Sequence, residues 1–236
     1  MTAFASGALV LELASLSHPS YVPTQWQGTL MIIAVAFCVS MINIFGAKQL
    51  PLFEGIILFV HVVGFFAILI PLWVVAPKAP ASEVFGSFSN FGGWPSVGAA
   101  CVIGQLTATG SLGGADSAAH LAEEVKNASY VVPRVMMTTI LLNGALGFVM
   151  IITFVFCITD IETMIVESTS PFPYVGVFYA ATGSTAGTIV MTALLVAMNI
   201  AACLSIVAAA SRQTWSFARD EGLPFSGWFR KVRLTA

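Results

Sequence analysis

Five apolar runs, at about 29–46, 50–76, 96–122, 135–158 and 184–210, organise this chain, and each is long enough to cross a bilayer. A shorter run covers 3–16. In hydrocarbon every backbone N–H and C=O must be satisfied within the protein, which leaves helices for single segments of this length. The expectation is an all-α polytopic membrane protein, with residues 1–236 as one membrane domain. Composition agrees: 58% of residues are hydrophobic and 8% charged, against roughly a quarter charged in soluble domains. The lipid bilayer is therefore the expected surrounding. The net charge of −2 says nothing about partners, because in a membrane protein it is the placement of charges that matters; no nucleic-acid footprint is present, so no nucleic-acid partner is expected.

Orientation follows from the basic residues. If successive spans alternate, Lys48, Lys126, Arg134, Arg212, Arg219, Arg230, Lys231 and Arg233 share one side, and Lys78 alone lies on the other. The crowded side is read as cytoplasmic. The connector from Asp160 to Ser184 holds Asp160, Glu162 and Glu167 with no base, and is placed outside. On this layout the Asn127-Ala128-Ser129 sequon faces the cytosol and is not expected to carry a glycan. The run at 3–16 is short for a span and holds Glu12 near its end. No Lys or Arg precedes Lys48, so it does not read as a signal peptide. It is read as the outer part of a helix whose beginning is missing. Cys38, Cys101, Cys157 and Cys203 sit in four different runs without paired spacing. They are expected to be small core residues, with no disulfide, metal or cofactor implied.

Within the run at 96–122, Thr109-Gly110-Ser111-Leu112-Gly113-Gly114-Ala115-Asp116 places three glycines, two hydroxyls and a carboxylate at mid-depth. Glycine costs about 1 kcal/mol per helix position relative to alanine, and an intramembrane aspartate roughly 2.5–3.5 kcal/mol on insertion scales. Broken backbone at that depth is tolerated where it lines a cavity, and half-helix ends there can hold a polar ligand. Thr109, Gly110, Ser111, Gly113 and Gly114 are therefore candidate substrate-binding residues of a transporter. A close helix-packing face is the alternative for the glycines. The second half-helix, starting near Ser117, would aim its positive end at an anionic group. Asp116 either N-caps that half-helix or serves gating or proton coupling. His120 lies one turn later on the same face, suited to packing or hydrogen bonding. Glu123 and Glu124 read as solvated charge at the cytoplasmic end. Asn143 and Asn199 are expected to make interhelical hydrogen bonds worth roughly 0.6 kcal/mol each. No catalytic residues are expected: the spans hold no HExxH, paired aspartates or serine–histidine arrangement.

Three stretches carry a family resemblance. GADSAAHLAEEVKNASYVVPR (Gly114 to Arg134) resembles the sixth-helix and following-loop signature of the amino acid–polyamine–choline (APC) superfamily of permeases. SRQTWSFARDEGLPFS (Ser211 to Ser226) is similar to the loop after the eighth helix, and NIFGAKQLPLFEGIILFVHVVGFF (Asn43 to Phe66) to the fourth-to-fifth helix junction. The likeness is to the fungal choline and GABA permease branch. It implies a partial leucine-transporter-type inverted-repeat fold, running from the end of that fold's helix 3 through its helix 8, with helices 1, 2 and 9 to 12 absent. It also implies that substrate sits between the unwound centres of helices 1 and 6. Where proton-coupled relatives carry a lysine in the fifth helix, this chain has His61, seven residues after Glu54. Histidine changes charge between pH 5 and 8. His61 is thus a candidate for coupling or gating, with a structural histidine bonded to a carbonyl as the alternative.

The function expected is transmembrane transport of an amino acid, GABA or choline-like amine by a secondary active, proton-coupled permease. The location expected is the plasma membrane, with a vacuolar or other endomembrane as the alternative. A carboxylated substrate suits the half-helix dipole better than a quaternary amine, which favours carbonyls and aromatic faces. The competing expectation is a truncated integral membrane fragment with no transport of its own.

Overall fold

In the computed structural model, residues 2–18, 20–120, 122, 125–168, 170–229 and 231 are described, and every regular element among them is helical. In order they are α1 (Thr2–Ser17), α2 (Gln25–Phe45), a 3-10 turn (Ala47–Gln49), α3 (Leu50–Val74), α4 (Ala81–Gly86), α5 (Val97–Ser111) and α6 (Ser117–His120). There follow α7 (Ala128–Cys157), a π-helical segment (Glu162–Val166), α8 (Pro173–Thr182), α9 (Thr185–Arg219) and α10 (Ser226–Phe229). Four helical stretches are long and apolar enough to cross a membrane: Gln25–Phe45, Ala47–Val74, Ala128–Cys157 and Thr185–Arg219.

The helix boundaries depart from the apolar runs at two places, for local reasons. α7 starts at Ala128, well before the run at 135–158, because Asn127 adopts a left-handed turn at φ 56° and Pro133 is still within the helix. α9 continues through Arg219, so the first nine residues of Ser211–Ser226, expected as a loop, are helical. That stretch holds no glycine or proline until Gly222, so nothing stops the helix earlier.

α9 is the centre of the packing. It contacts α1, α2, α3, α8 and α10, burying Thr188, Met191, Thr192 and Val196 in its first half and Ala201, Cys203 and Ala208 in its second. One apolar cluster joins α3, α7, α8 and α9 through Ile68, Leu72, Cys157, Phe178 and Met191. A smaller one joins α2 and α9 through Val35, Val39 and Cys203. Lipid tails are as apolar as leucine, so close backbone approach is what favours helix contact in a membrane. Gly7 provides it: a Cβ there would lie 3.2 Å from the Ile32 backbone N. Despite its length, α1 is among the better buried helices, with Ser6, Gly7, Leu9 and Leu11 inside.

Polar groups fasten the helices, and not those expected. Asn199 donates to Leu195 O at 3.0 Å within its own helix, and Asn143 is exposed. The interhelical asparagine is instead Asn43, whose Nδ2 reaches Leu204 O at 3.3 Å. Trp73 Nε1 donates to Thr153 Oγ1 at 2.7 Å, linking α3 to α7. Lys78 folds back to cap α3, donating to Leu72 O and, at 2.9 Å, to Ala76 O, where a cation meets the negative helix end. The cysteines divide: Cys157 and Cys203 are buried, whereas Cys38 and Cys101 are exposed and so are not core residues of this bundle. Glu123, Glu124, Arg230, Arg233 and Thr169 lie outside the described residues.

Candidate substrate site at the broken helix

The run at 96–122 does not form one helix. Ser96 caps α5, its Oγ accepting from Ala99 N at 3.1 Å. Near the far end, Thr109 and Ser111 turn their hydroxyls back onto Gln105 O and Thr107 O, at 3.0 and 2.8 Å. Such bonds offer the carbonyls an alternative partner and loosen the helical ladder. The chain then tightens, with Leu112 N to Thr109 O at 3.3 Å and Gly113 N to Gly110 O at 3.2 Å. Gly114 sits at φ +92°, a conformation that an L side chain enters only at a cost of roughly 1–2 kcal/mol. Ser117 N bonds Gly114 O at 3.1 Å and α6 begins. Among the described residues, the N–H groups of Gly114, Ala115 and Asp116 make no backbone hydrogen bond.

These groups are open. Thr109, Gly110, Ser111, Gly113, Gly114 and Asp116 are all exposed. A Cβ on Gly110 would meet nothing, and one on Gly114 would meet only Ser117 Oγ at 4.0 Å. Glycine at 114 is thus required by backbone conformation in this chain rather than by crowding. A glycine packing stripe does not describe the segment.

One expectation for the second half-helix changes, and its length lies partly outside the described residues, of which Ser117–His120 form α6. Asp116 does not cap it through its side chain. Its Oδ2 lies 3.4 Å from His120 Nε2, while its backbone O accepts from Ala119 N at 2.8 Å. With Asp116 largely exposed, this contact contributes little, about 0–1 kcal/mol at most.

His61 is on α3 and exposed, and among the described residues no hydrogen bond or ion pair joins it to the break or to a carbonyl. Glu54, earlier on the same helix, accepts from Ser205 Oγ of α9 at 2.7 Å. The structure therefore brings Asp116 and His120 together and leaves His61 apart from both.

Beside the break lies a cavity of about 250 Å³, lined by His120 of α6 and by Arg212, Trp215 and Ser216 of α9. Trp215 Nε1 is buried there without a hydrogen-bond partner among the described residues. Its indole ring also lies 5.2 Å from the Arg219 guanidinium. Sequence reasoning passed over Trp215, because it places the aromatic in a loop when α9 still continues. A second omission lies at the other end of the bundle: Ser170 Oγ donates to Glu12 Oε1 at 2.6 Å, and Tyr174 nearby has its phenol pushed up to about 12 by burial and by the Glu12 charge.

Comparison with known proteins gives these geometries a context. The family profile described as amino acid permease matches residues 1–236. A Macrophomina phaseolina protein, provisionally named an amino acid/polyamine transporter, is 31% identical over 98% of this chain and 51% of its own length. The choline transporter of Saccharomyces cerevisiae is 28% identical over 94% of this chain and 40% of its length. The GABA-specific permease of the same yeast is 27% identical over 88% and 36%. The chain spans about half the length, or less, of these relatives. No solved structure matches it.

Proposed function

We propose, because the chain belongs to the amino acid permease family, that it supplies the broken-helix part of the substrate site in a secondary active permease. The substrate is an amino acid or a related amine such as GABA or choline, the coupling ion a proton and the location the plasma membrane. The observation that carries this reading is the break itself. In the middle of an apolar run, Gly114 at φ +92° turns three backbone N–H groups away from any helical partner. Such groups are costly in hydrocarbon, at several kcal/mol each, unless a ligand or cavity satisfies them. The carboxylate of an amino acid supplies acceptors for them.

The test is a chimaera in which residues 1–236 replace the matching segment of the yeast choline transporter, with uptake of labelled choline, GABA and amino acids measured in cells. Saturable uptake, abolished by Gly114→Leu at unchanged surface abundance, supports the reading. Undiminished uptake by Gly114→Leu removes the break from the site.

A second reading, an integral membrane segment without transport of its own, is favoured by one observation: α5 buries none of its residues. Under it, liposomes holding only this chain accumulate no GABA, choline or proteinogenic amino acid above protein-free controls.

A further inference from the structure

At the end of the bundle away from α6, the last turns of α1, the connector into α2 and the segment before α8 enclose a cavity of about 590 Å³. That volume lies in the range of small-molecule sites. Its lining includes Leu11, Glu12, Tyr21, Pro23 and Ser170. Glu12 is the one charged residue among them, and among the described residues no base lines the cavity. Ser170 Oγ accepts from Phe172 N at 3.0 Å and donates to Glu12 Oε1 at 2.6 Å, which fixes the carboxylate. Glu12 Oε2 has no hydrogen-bond partner among the described residues. The Tyr21 ring is held in place by its hydroxyl, which donates to Gln27 Oε1 at 3.1 Å.

We infer that this cavity binds a small organic cation, an ammonium or quaternary amine, through the Glu12 carboxylate and the face of Tyr21. The chemistry excludes the other ligand classes. An anion would meet a carboxylate with no base to offset it. A hard divalent cation takes six or more oxygen ligands, and the described residues contain no cluster of metal-ligating side chains. A neutral apolar molecule would strip water from a charged carboxylate without replacing it. An α-amino acid brings a second carboxylate for which the lining has no cation. What remains is a positive head with an apolar skirt, which a carboxylate and an aromatic face recognise together. The Tyr174 phenol, on the neighbouring α8, is raised by burial first and by the Glu12 charge second. The site is separate from the break, and it goes beyond the transport reading: binding here requires no uptake, so a chain that fails to transport still tests it.

The experiment is equilibrium binding of labelled choline to the purified chain in a maltoside detergent, free of choline lipids. Saturable binding is expected, competed by tetramethylammonium but not by glycine or acetate. Glu12→Gln should weaken it about tenfold or more, as loss of the single charged contact requires. Tyr21→Leu, which leaves the Glu12–Ser170 bond in place, should weaken it severalfold, while Asp160→Asn on the same side should not. Absence of saturable binding to the unaltered chain overturns the inference. So does unchanged affinity in either Glu12→Gln or Tyr21→Leu, and the second variant decides the matter if the first does not fold.

Discussion

Ser205 Oγ donates a 2.7 Å hydrogen bond to Glu54 Oε1, tying the middle of α9 to the first turns of α3. Ser205 also turns toward Ala201 O at 3.3 Å, so its hydroxyl is shared between its own helix and its neighbour. This is a polar fastening between two helices that are otherwise apolar on nearly every side. Ser205→Ala should lower stability by about 0.5–1.5 kcal/mol, the usual range for one membrane hydrogen bond or a little more. Glu54→Gln, which keeps an acceptor oxygen, should cost less. Denaturant titration in mixed micelles measures both, and a larger loss in Glu54→Gln would show that charge, not the bond, matters.

The break makes opposite demands on two glycines. Gly114→Ala forces an L residue to φ +92° and should destabilise the chain by about 1–2 kcal/mol. Gly110→Ala, inside α5 with open space around its Cβ position, should stabilise it by up to about 1 kcal/mol. Thermal melts of the two variants give the comparison. Equal effects would mean that the left-handed turn at Gly114 is absent in the folded protein.

Tyr174 links α8 to Glu12 through charge. Its phenol is pushed from 10.0 up to about 12, by burial first and by Glu12 second. The folded value lies above the ordinary one, so the fold favours the neutral phenol. That stabilisation is whole below about pH 10 and is lost as the pH climbs toward 12. The difference in 295 nm absorbance between the unaltered chain and Tyr174→Phe should show one phenol titrating near 12, and Glu12→Gln should bring it down. A step near 10 would place Tyr174 in water.

With Cys38 and Cys101 replaced by alanine, Glu167→Cys should react with an impermeant maleimide added to intact cells, whereas Lys126→Cys should react only after permeabilisation. The warrant is the excess of basic residues on one side of the spans. The reverse pattern would invert the topology, and with it the assignment of the Glu12 cavity to the outside.

His61 is exposed on α3 and has no hydrogen-bond partner among the described residues, so a role for it depends on what it faces in the transporting protein. In the chimaera described above, His61→Ala should flatten the pH dependence of uptake more than it raises the apparent KM. An unchanged pH profile assigns it no part in coupling.

The helical class, the membrane setting and the place of the break were all legible in the residues, because each depends on local chemistry. Run length decides whether a segment can span, and Gly113-Gly114 beside Asp116 cannot continue a helix in hydrocarbon at tolerable cost. The partners were not legible. An amphipathic soluble helix announces its buried face through its apolar stripe, but α2 and α3 are apolar nearly all round and carry no such mark. Only the crossing of helices decided that Asn43 and not Asn199 reaches a neighbour, and that Cys203 is buried and Cys38 exposed. The same crossings brought Glu12 to Ser170 over a sequence separation of 158 residues. Local rules determine what each segment is; which of its faces meets another segment depends on close approach between helices, as at Gly7 and Ile32, and that exists only once they are assembled.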